Sequence, residues 1–198
     1  MLRCLDASLQ MIKHKEQRVA VLIDVQNLYY SARNLYNTKV NFGAIVEAAV
    51  AGRKLIRAIA YVVSTKTGEE KPFFDALIKV GIETREKELQ EFFGGAKKAD
   101  WDVGLAIDAV RLAELVDAVV IVSGDGDYYP LYEYLKGRGR QVEVIAFRET
   151  TSSKIMEIVD DFTNLSEDKG RFLFGYIKPH PPVRGRIVRP RIPQKSVK

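Results

Sequence analysis

The sequence contains the stretch Val119-Val120-Ile121-Val122-Ser123-Gly124-Asp125-Gly126-Asp127. Four branched apolar residues in a row predict a strand that is buried on both faces. The strand leads directly into two aspartates separated by glycine. In an open parallel sheet, ligands bind at the carboxyl ends of the strands, so this turn indicates acidic oxygens at the mouth of a cleft. Aspartate and glycine are also the commonest residues of a plain, solvated turn, and this stretch alone does not separate the two interpretations.

A second apolar run ends in the same way. Residues 18–24 read Arg-Val-Ala-Val-Leu-Ile-Asp, and they predict another buried strand, which ends at Asp24. In an open α/β sheet, the strand that starts the chain and the strand that starts its second half flank the point at which the strand order reverses. Asp24 and Asp125 are therefore predicted to face each other across a crevice. Two close carboxylates raise each other's pKa and cost stability unless a cation neutralises them.

Strands and helices alternate along the rest of the chain. Further strands are predicted at 54–63, 82–89 and 141–147, and helices at 25–36, 42–51, 72–80, 100–115, 128–136 and 153–159. Asn41, Asp100 and Asp127 are predicted to cap three of these helices. The alternation predicts an α/β fold, a Rossmann-like three-layer sandwich with a mainly parallel sheet.

The composition narrows the chemistry. With one cysteine and two histidines among 198 residues, a thiolate zinc site, a histidine-rich metal site and a Ser-His-Asp triad are all disfavoured. Carboxylate ligands without histidine or cysteine favour magnesium or manganese (Mg²⁺ or Mn²⁺) over zinc. No apolar run approaches the roughly 18 residues of a membrane span, and Asp6 and Gln10 interrupt the apolar residues at the N-terminus. We therefore expect no membrane segment, no signal peptide and a cytoplasmic protein.

The net charge of +5 is unevenly spread. Residues 165–198 hold nine lysines and arginines against two acidic residues, which leaves 22 basic and 24 acidic residues in 1–164. We predict an N-terminal amphipathic helix at 1–17, a domain at 18–165, and a basic Pro/Arg-rich tail at 166–198. The tail is either a semi-rigid spacer or an arm that binds phosphates.

A third carboxylate comes from the start of a predicted helix. If Asp100 caps that helix, Asp102 lies half a turn further on and is available to the crevice. Asp108 follows Asp102 by six residues, which places it about 120° around the helix and about 9 Å along its axis. The two cannot hold the same ion, and we expect Asp108 to pair with Arg111 instead.

Three motifs together resemble the NYN domain, a family of the PIN-like nuclease superfamily. They read Leu22-Ile23-Asp24-Val25-Gln26-Asn27, Lys98-Ala99-Asp100-Trp101-Asp102-Val103-Gly104-Leu105-Ala106-Ile107-Asp108 and Ser123-Gly124-Asp125-Gly126-Asp127-Tyr128. The motifs arrive in the family's order, and the resemblance covers about residues 18–165. The chain departs from the family in two places. Lys98 stands one residue earlier than the lysine that the family often has, and Tyr128 replaces the usual phenylalanine.

The resemblance implies a PIN-like strand order of 3-2-1-4-5 and metal-dependent cleavage of RNA. The residues that match the family's catalytic positions are Asp24, Asn27, Asp102, Asp125 and Asp127. By this resemblance the four aspartates are metal ligands, with Asp127 contributing to a second ion. A bound divalent ion makes water a nucleophile and stabilises the departing oxygen, so no protein base is required. Asn27 would then support a carboxylate or a water.

RNA is the expected partner, and a homo-oligomer or a protein partner is compatible with the sequence. The groups predicted to bind flanking phosphates are Lys97, Lys98, Arg148 and the helix N-terminus at Ser153. Each of them is equally compatible with an ordinary surface position. The tyrosines predicted either to stack on bases or to pack in the core are Tyr29, Tyr30, Tyr128 and Tyr129.

Three alternatives to a ribonuclease are weighed against these residues. The first is an RNA- or protein-binding module of the same fold with little turnover, which only an assay separates from an enzyme. A phosphoaspartyl phosphatase is disfavoured because Gln26 occupies the place of its second aspartate. A dinucleotide oxidoreductase is disfavoured because no glycine follows Asp24 in the turn where that fold requires three.

Overall fold

A six-stranded sheet occupies the centre of the computed structural model, which describes residues 13–65, 67–91, 97–98 and 100–176. The strands are β1 Arg18–Asp24, β2 Lys54–Ser64, β3 Glu83–Glu88, β4 Ala118–Val122, β5 Gln141–Ala146 and β6 Asp161–Asn164. They lie in the order β3-β2-β1-β4-β5-β6, and all five pairings are parallel. The strand order reverses between β1 and β4.

Helices cover both faces of this sheet. They are α1 Val25–Tyr36, α2 Phe42–Val50, α3 Lys71–Lys79, α4 Asp102–Leu112, α5 Tyr129–Gly137, α6 Ser153–Ile158 and α7 Lys169–Phe172. Two 3-10 turns lie at Gly126–Tyr128 and Arg148–Thr150, and two short antiparallel pairs join Lys39–Val40 to Leu173–Phe174 and Gln90–Glu91 to Lys97–Lys98. The predicted three-layer α/β class is confirmed. The prediction did not include β6, which extends the sheet beyond β5.

Each central strand contributes side chains to both helical layers. Successive side chains of a strand point to opposite faces. Val21 and Ile23 of β1 accordingly pack in the core that includes residues of α1, α2 and α3, whereas Ala20 and Leu22 pack in the core that includes residues of α4 and α5. All five residues of β4 are fully buried. The apolar runs that predicted β1 and β4 are therefore explained by burial on both faces.

Two of the three predicted helix caps are wrong. Helix α4 begins at Asp102, and its N-cap residue is Trp101 rather than Asp100. Asp127 does not cap α5 either; its backbone N–H donates to Oδ1 of Asp125 at 3.0 Å. The Asn41 cap is confirmed, since Asn41 Oδ1 accepts the N–H of Ala44 at 3.2 Å.

The predicted terminal segments lie largely outside the described residues. This applies to residues 1–12 of the N-terminal helix and to residues 177–198 of the basic tail. Residues 166–176, which the sequence prediction placed in the tail, carry α7 and a short strand, and Phe172 and Leu173 are buried against the domain.

Within the described ranges, no helix is both long enough and apolar enough to cross a membrane.

Candidate active site

Asp24 ends β1 and begins α1. Its Oδ1 accepts the backbone N–H of Asn27 at 3.0 Å, which caps the helix, and its Oδ2 accepts the hydroxyl of Ser123 at 3.3 Å. Asp24 is only 9% exposed. Burial raises the pKa of Asp24 to about 6, and the charges of Asp102 and Asp125 add to the rise. The fold thus holds a carboxylate where its ionised form is costly.

Asn27 ties the ends of β1 and β4 together. Its Oδ1 accepts the backbone N–H of Gly124 at 3.1 Å. The neighbouring Ser123 is fully buried, and its hydroxyl oxygen accepts the N–H of Asp125 at 3.2 Å. The amide oxygen of Asn27 thus holds the loop that carries Asp125, and its backbone N–H bonds to Asp24. Its effect on the site is therefore to position that loop.

Asp102 approaches from a third element, the first turn of α4. Its Oδ1 accepts the hydroxyl of Tyr128 at 3.0 Å. Partial burial raises the pKa of Asp102, and the charge of Asp125 contributes to the rise. Because Asp125 acts on both Asp24 and Asp102, the three carboxylates lie in one electrostatic neighbourhood. We call these three residues the acidic cluster.

Tyr128 belongs to this site as a buried hydrogen-bond donor. It is 2% exposed, so of the two alternatives given for it, packing in the core applies and stacking on bases does not. Burial raises its pKa, as do the charges of Asp24 and Asp102, and its hydroxyl therefore stays protonated. Tyr29 and Tyr30 are 44% and 51% exposed and remain available for stacking.

Trp101 anchors the start of α4 and so places Asp102. Its indole N–H donates to the carbonyl of Val62 in β2 at 2.9 Å, and its ring lies 5.4 Å from that of Tyr61. The ring also covers Gly104, because a Cβ on Gly104 would lie 2.7 Å from Cε3 of Trp101. Only a glycine fits beneath the indole without a shift.

Asp125 and Asp127 occupy different depths of the same turn. Asp125 is half-buried, whereas Asp127 is exposed and lies at the rim. The charge of Asp127 still raises the pKa of Asp102. An open groove begins at this rim, and it is lined by Gly126, Asp127, Tyr129, Pro130, Lys154 and Glu157.

The predicted phosphate-binding residues Arg148 and Ser153 flank a segment that lies against the acidic turn, where Thr151 adjoins Gly124 and Ser152 adjoins Gly126. Arg148 and Ser153 are exposed, and Ser153 is the first residue of a helix of only six residues. The side chains of Lys97 and Lys98 lie outside the described residues. Asp108 points away from the site: the hydroxyl of Tyr61 donates to it at 3.0 Å, and the predicted pair with Arg111 is confirmed at 3.7 Å.

The donor set of the acidic cluster fits a hard divalent cation. Its oxygens are carboxylates, the ligands that magnesium and manganese prefer. Among the described side chains, no lysine, arginine or histidine forms an ion pair with a member of the cluster. Nor do the described residues include a group of three acidic, histidine or cysteine side chains already arranged to hold a metal ion. The donor atoms of the cluster therefore suit such a cation, but the side chains of the cluster are not already arranged around a cation position.

Sequence reasoning missed the contacts by which three residues shape this site. Tyr128 and Trp101 were visible inside the motifs, but their partners lie far away in the chain, at Asp102 and at Val62. Ser123 directly follows a strand, and its hydroxyl bonds to Asp24. A single small polar residue at a strand end forms no sequence motif that would predict this contact. A polar residue directly after a fully buried strand was the one usable signal.

Comparisons with known proteins agree with the motifs. A family model described as the NYN domain matches residues 18–166. The Low amplitude and bright protein LabA of Synechococcus elongatus is 24% identical over 191 residues, which cover 89% of this chain and 98% of that protein. The crystal structure of a protein of unknown function from Vibrio parahaemolyticus superposes with a TM-score of 0.73 and 31% identity. That superposition covers 82% of this chain and 99% of the other.

The raised pKa of Asp24 predicts a pH-dependent loss of stability in protein kept free of divalent ions. The folded state binds the proton more tightly than the unfolded state, so stability is fully present below pH 3.8 and is lost as the pH rises through about 6. Asp24→Asn keeps a capping oxygen without the charge. We expect it to raise the free energy of unfolding at pH 8 by about 1–3 kcal/mol, measured by urea denaturation with a chelator.

Asp117→Asn is the matched control, with the opposite sign. Hydrogen bonds from Arg18 lower the pKa of Asp117 to about 2, so its charge stabilises the fold above its ordinary pKa and that contribution is lost only as the pH falls through about 2. The control variant is expected to be less stable than wild type at pH 8. An Asp24→Asn variant that is equally destabilised at pH 8 would contradict the assignment of a costly charge.

Gly104 provides a test of the Trp101 anchor. In Gly104→Ala, the new Cβ meets the indole ring at 2.7 and 3.0 Å and forces it to move. We expect the free energy of unfolding to fall by about 1–3 kcal/mol, measured by urea denaturation. Gly137→Ala, at the end of α5, is the control: nothing lies within 4 Å of its Cβ, and it is expected to be neutral or stabilising. Equal stabilities of the two variants would rule out the close packing of Trp101 on Gly104.

Proposed function

This chain belongs to the NYN domain family, a PIN-like nuclease family, and on that basis we propose that it is a metal-dependent ribonuclease that hydrolyses RNA phosphodiester bonds. The proposed site is the acidic cluster of Asp24, Asp102 and Asp125. One observation carries the proposal: a buried carboxylate with a raised pKa lies beside two others at the point where the strand order reverses. Such a cluster is stabilised by a cation, and family membership supplies RNA as the class of substrate.

The proposed division of labour follows from the contacts of each side chain. Asp24, Asp102 and Asp125 would hold a divalent ion, Mg²⁺ or Mn²⁺, and Asp127 at the exposed rim would contribute to a second one. The chemistry that a bound divalent ion would supply is Lewis acidity: it would lower the pKa of a water, so that hydroxide could form as the nucleophile, and would offset the negative charge on the departing oxygen. Tyr128 orients Asp102 through its hydroxyl, and Asn27 fixes the loop of Asp125. RNA enters along the groove beside Asp127.

A second candidate function is favoured by one specific observation. The described residues hold no group of three ligands already arranged for a metal ion. A module that binds RNA or a protein partner with little turnover needs no such arrangement. The two candidates differ in whether purified protein cleaves RNA and whether cleavage requires a divalent ion.

Removal of the Asp125 charge tests the proposed reaction directly. We expect wild type to cleave a single-stranded RNA in the presence of Mn²⁺ and not after chelation. Asp125→Asn should lower the rate by on the order of 100-fold, the usual cost of losing one preorganised electrostatic group. The measurement is the single-turnover rate on an end-labelled RNA.

Asp108→Asn is the control for that assay. Asp108 lies in the same helix as Asp102, but it accepts a hydrogen bond from Tyr61, outside the cluster. Its rate should equal that of wild type. Unchanged cleavage by Asp125→Asn would remove Asp125 from the mechanism. Cleavage that persists after chelation would contradict the proposed metal dependence, and no cleavage by wild type would favour the binding module.

The basic tail offers a separate test of RNA binding. A chain that ends after Tyr176 lacks seven lysines and arginines. If these bind phosphates, truncation weakens affinity for RNA and flattens its dependence on salt by about 0.7 logarithmic units per lost contact. A full-length variant with glutamines at the seven positions separates charge from chain length and should behave like the truncated chain. A salt slope equal to that of wild type would assign the tail no part in binding.

A further inference from the structure

The phenol group of Tyr132 lies in the core on the side of the sheet that α4 and α5 cover. Its side chain is fully buried, and its hydroxyl oxygen has no hydrogen-bond partner among the described residues. A buried hydroxyl without a partner costs about 1–3 kcal/mol. Such a group in a folded chain is commonly completed by a molecule that binds there, or else it marks a functional site.

The position of Tyr132 relates it to the acidic cluster. It follows Tyr128 by four residues across the start of α5, and residues at that spacing share one face of a helix. The hydroxyl of Tyr128, on the same face, donates to Asp102 at 3.0 Å. Burial raises the pKa of Tyr132, and the charges of Asp125 and Asp24 raise it further. Two carboxylates of the cluster therefore act on this hydroxyl.

The chemistry of a hydrated cation explains what this oxygen can accept. Magnesium and similar ions keep several of their waters when carboxylates bind them. These waters point their hydrogens away from the ion and require acceptors. A neutral phenol offers an acceptor lone pair, and because it stays protonated it does not itself replace a carboxylate as ligand.

We propose that the Tyr132 hydroxyl is a positioning residue that accepts a hydrogen bond from a water of a hydrated divalent cation held at Asp24 and Asp125. The proposal rests on the metal-dependent function proposed above and adds to it a buried residue that orients a cation-bound water. Groups that hold the waters and ligands around a metal commonly contribute 10- to 100-fold to metal affinity. The alternative is a phenol that only fills space in the core.

Tyr132→Phe separates the two roles, because it removes the oxygen and keeps the ring. The experiment is a titration of the full chain with Mn²⁺ alone, followed by the shift in melting temperature and by the fluorescence of Trp101, the only tryptophan, which adjoins Asp102. Without ion, we expect Tyr132→Phe to melt at or above the temperature of wild type, since an unpartnered hydroxyl is lost. With ion, we expect its apparent affinity for Mn²⁺ to fall by about 10-fold.

Tyr61→Phe is the matched control. Tyr61 is equally buried, but its hydroxyl is bonded to Asp108, away from the cluster. This variant should lose stability and keep the affinity of wild type for Mn²⁺. If Tyr132→Phe also kept the wild-type affinity for Mn²⁺, by either readout, the proposal for Tyr132 would be overturned. The proposed metal-dependent function would not be affected.

Asp125→Asn distinguishes that failure from failure of the proposed function. If wild type binds Mn²⁺ and Asp125→Asn does not, the acidic cluster is a cation site, and the Tyr132→Phe affinity decides the present proposal. If wild type itself gives no response to Mn²⁺, both proposals are overturned.

Discussion

The structure of this site depends on the burial of one carboxylate. Asp24 is held by the N–H of Asn27 and the hydroxyl of Ser123, and these two bonds keep an acidic group at the junction of β1 and β4. Neither bond supplies a positive charge, so the ionised form remains costly beside Asp102 and Asp125. A cation is the simplest way to offset that cost. The proposed function follows from this electrostatic imbalance.

The remaining elements determine where the other two charges lie. The reversal of strand order places the end of β4 beside the end of β1, which brings Asp125 within reach of Asp24. Asp102 arrives from a helix, and its position depends on Trp101, whose indole joins α4 to β2. Three separate parts of the chain thus supply one cluster, and the packing of the core sets their spacing.

The sequence was sufficient to predict some parts of this arrangement and not others. Asp24 and Asp125 follow branched apolar runs, and parallel topology dictates where such strands end, so their proximity was predictable. Asp100 was expected to cap α4 from local preference alone, but the contacts of Trp101 are with residues distant in sequence, and the helix begins two residues later. Strand β6 has only half-buried residues and no apolar run, so periodicity gave no signal for it.

The most direct test of the central claim is to measure the pKa of Asp24 by nuclear magnetic resonance. The chemical shift of its carboxyl carbon is recorded as a function of pH, with and without Mg²⁺. In chelated protein its pKa should be about 6. Addition of Mg²⁺ should bring it below the ordinary value for aspartate, because the ion favours the charged form. A pKa near 3.8 in the chelated protein, or one that Mg²⁺ leaves unchanged, would contradict the account.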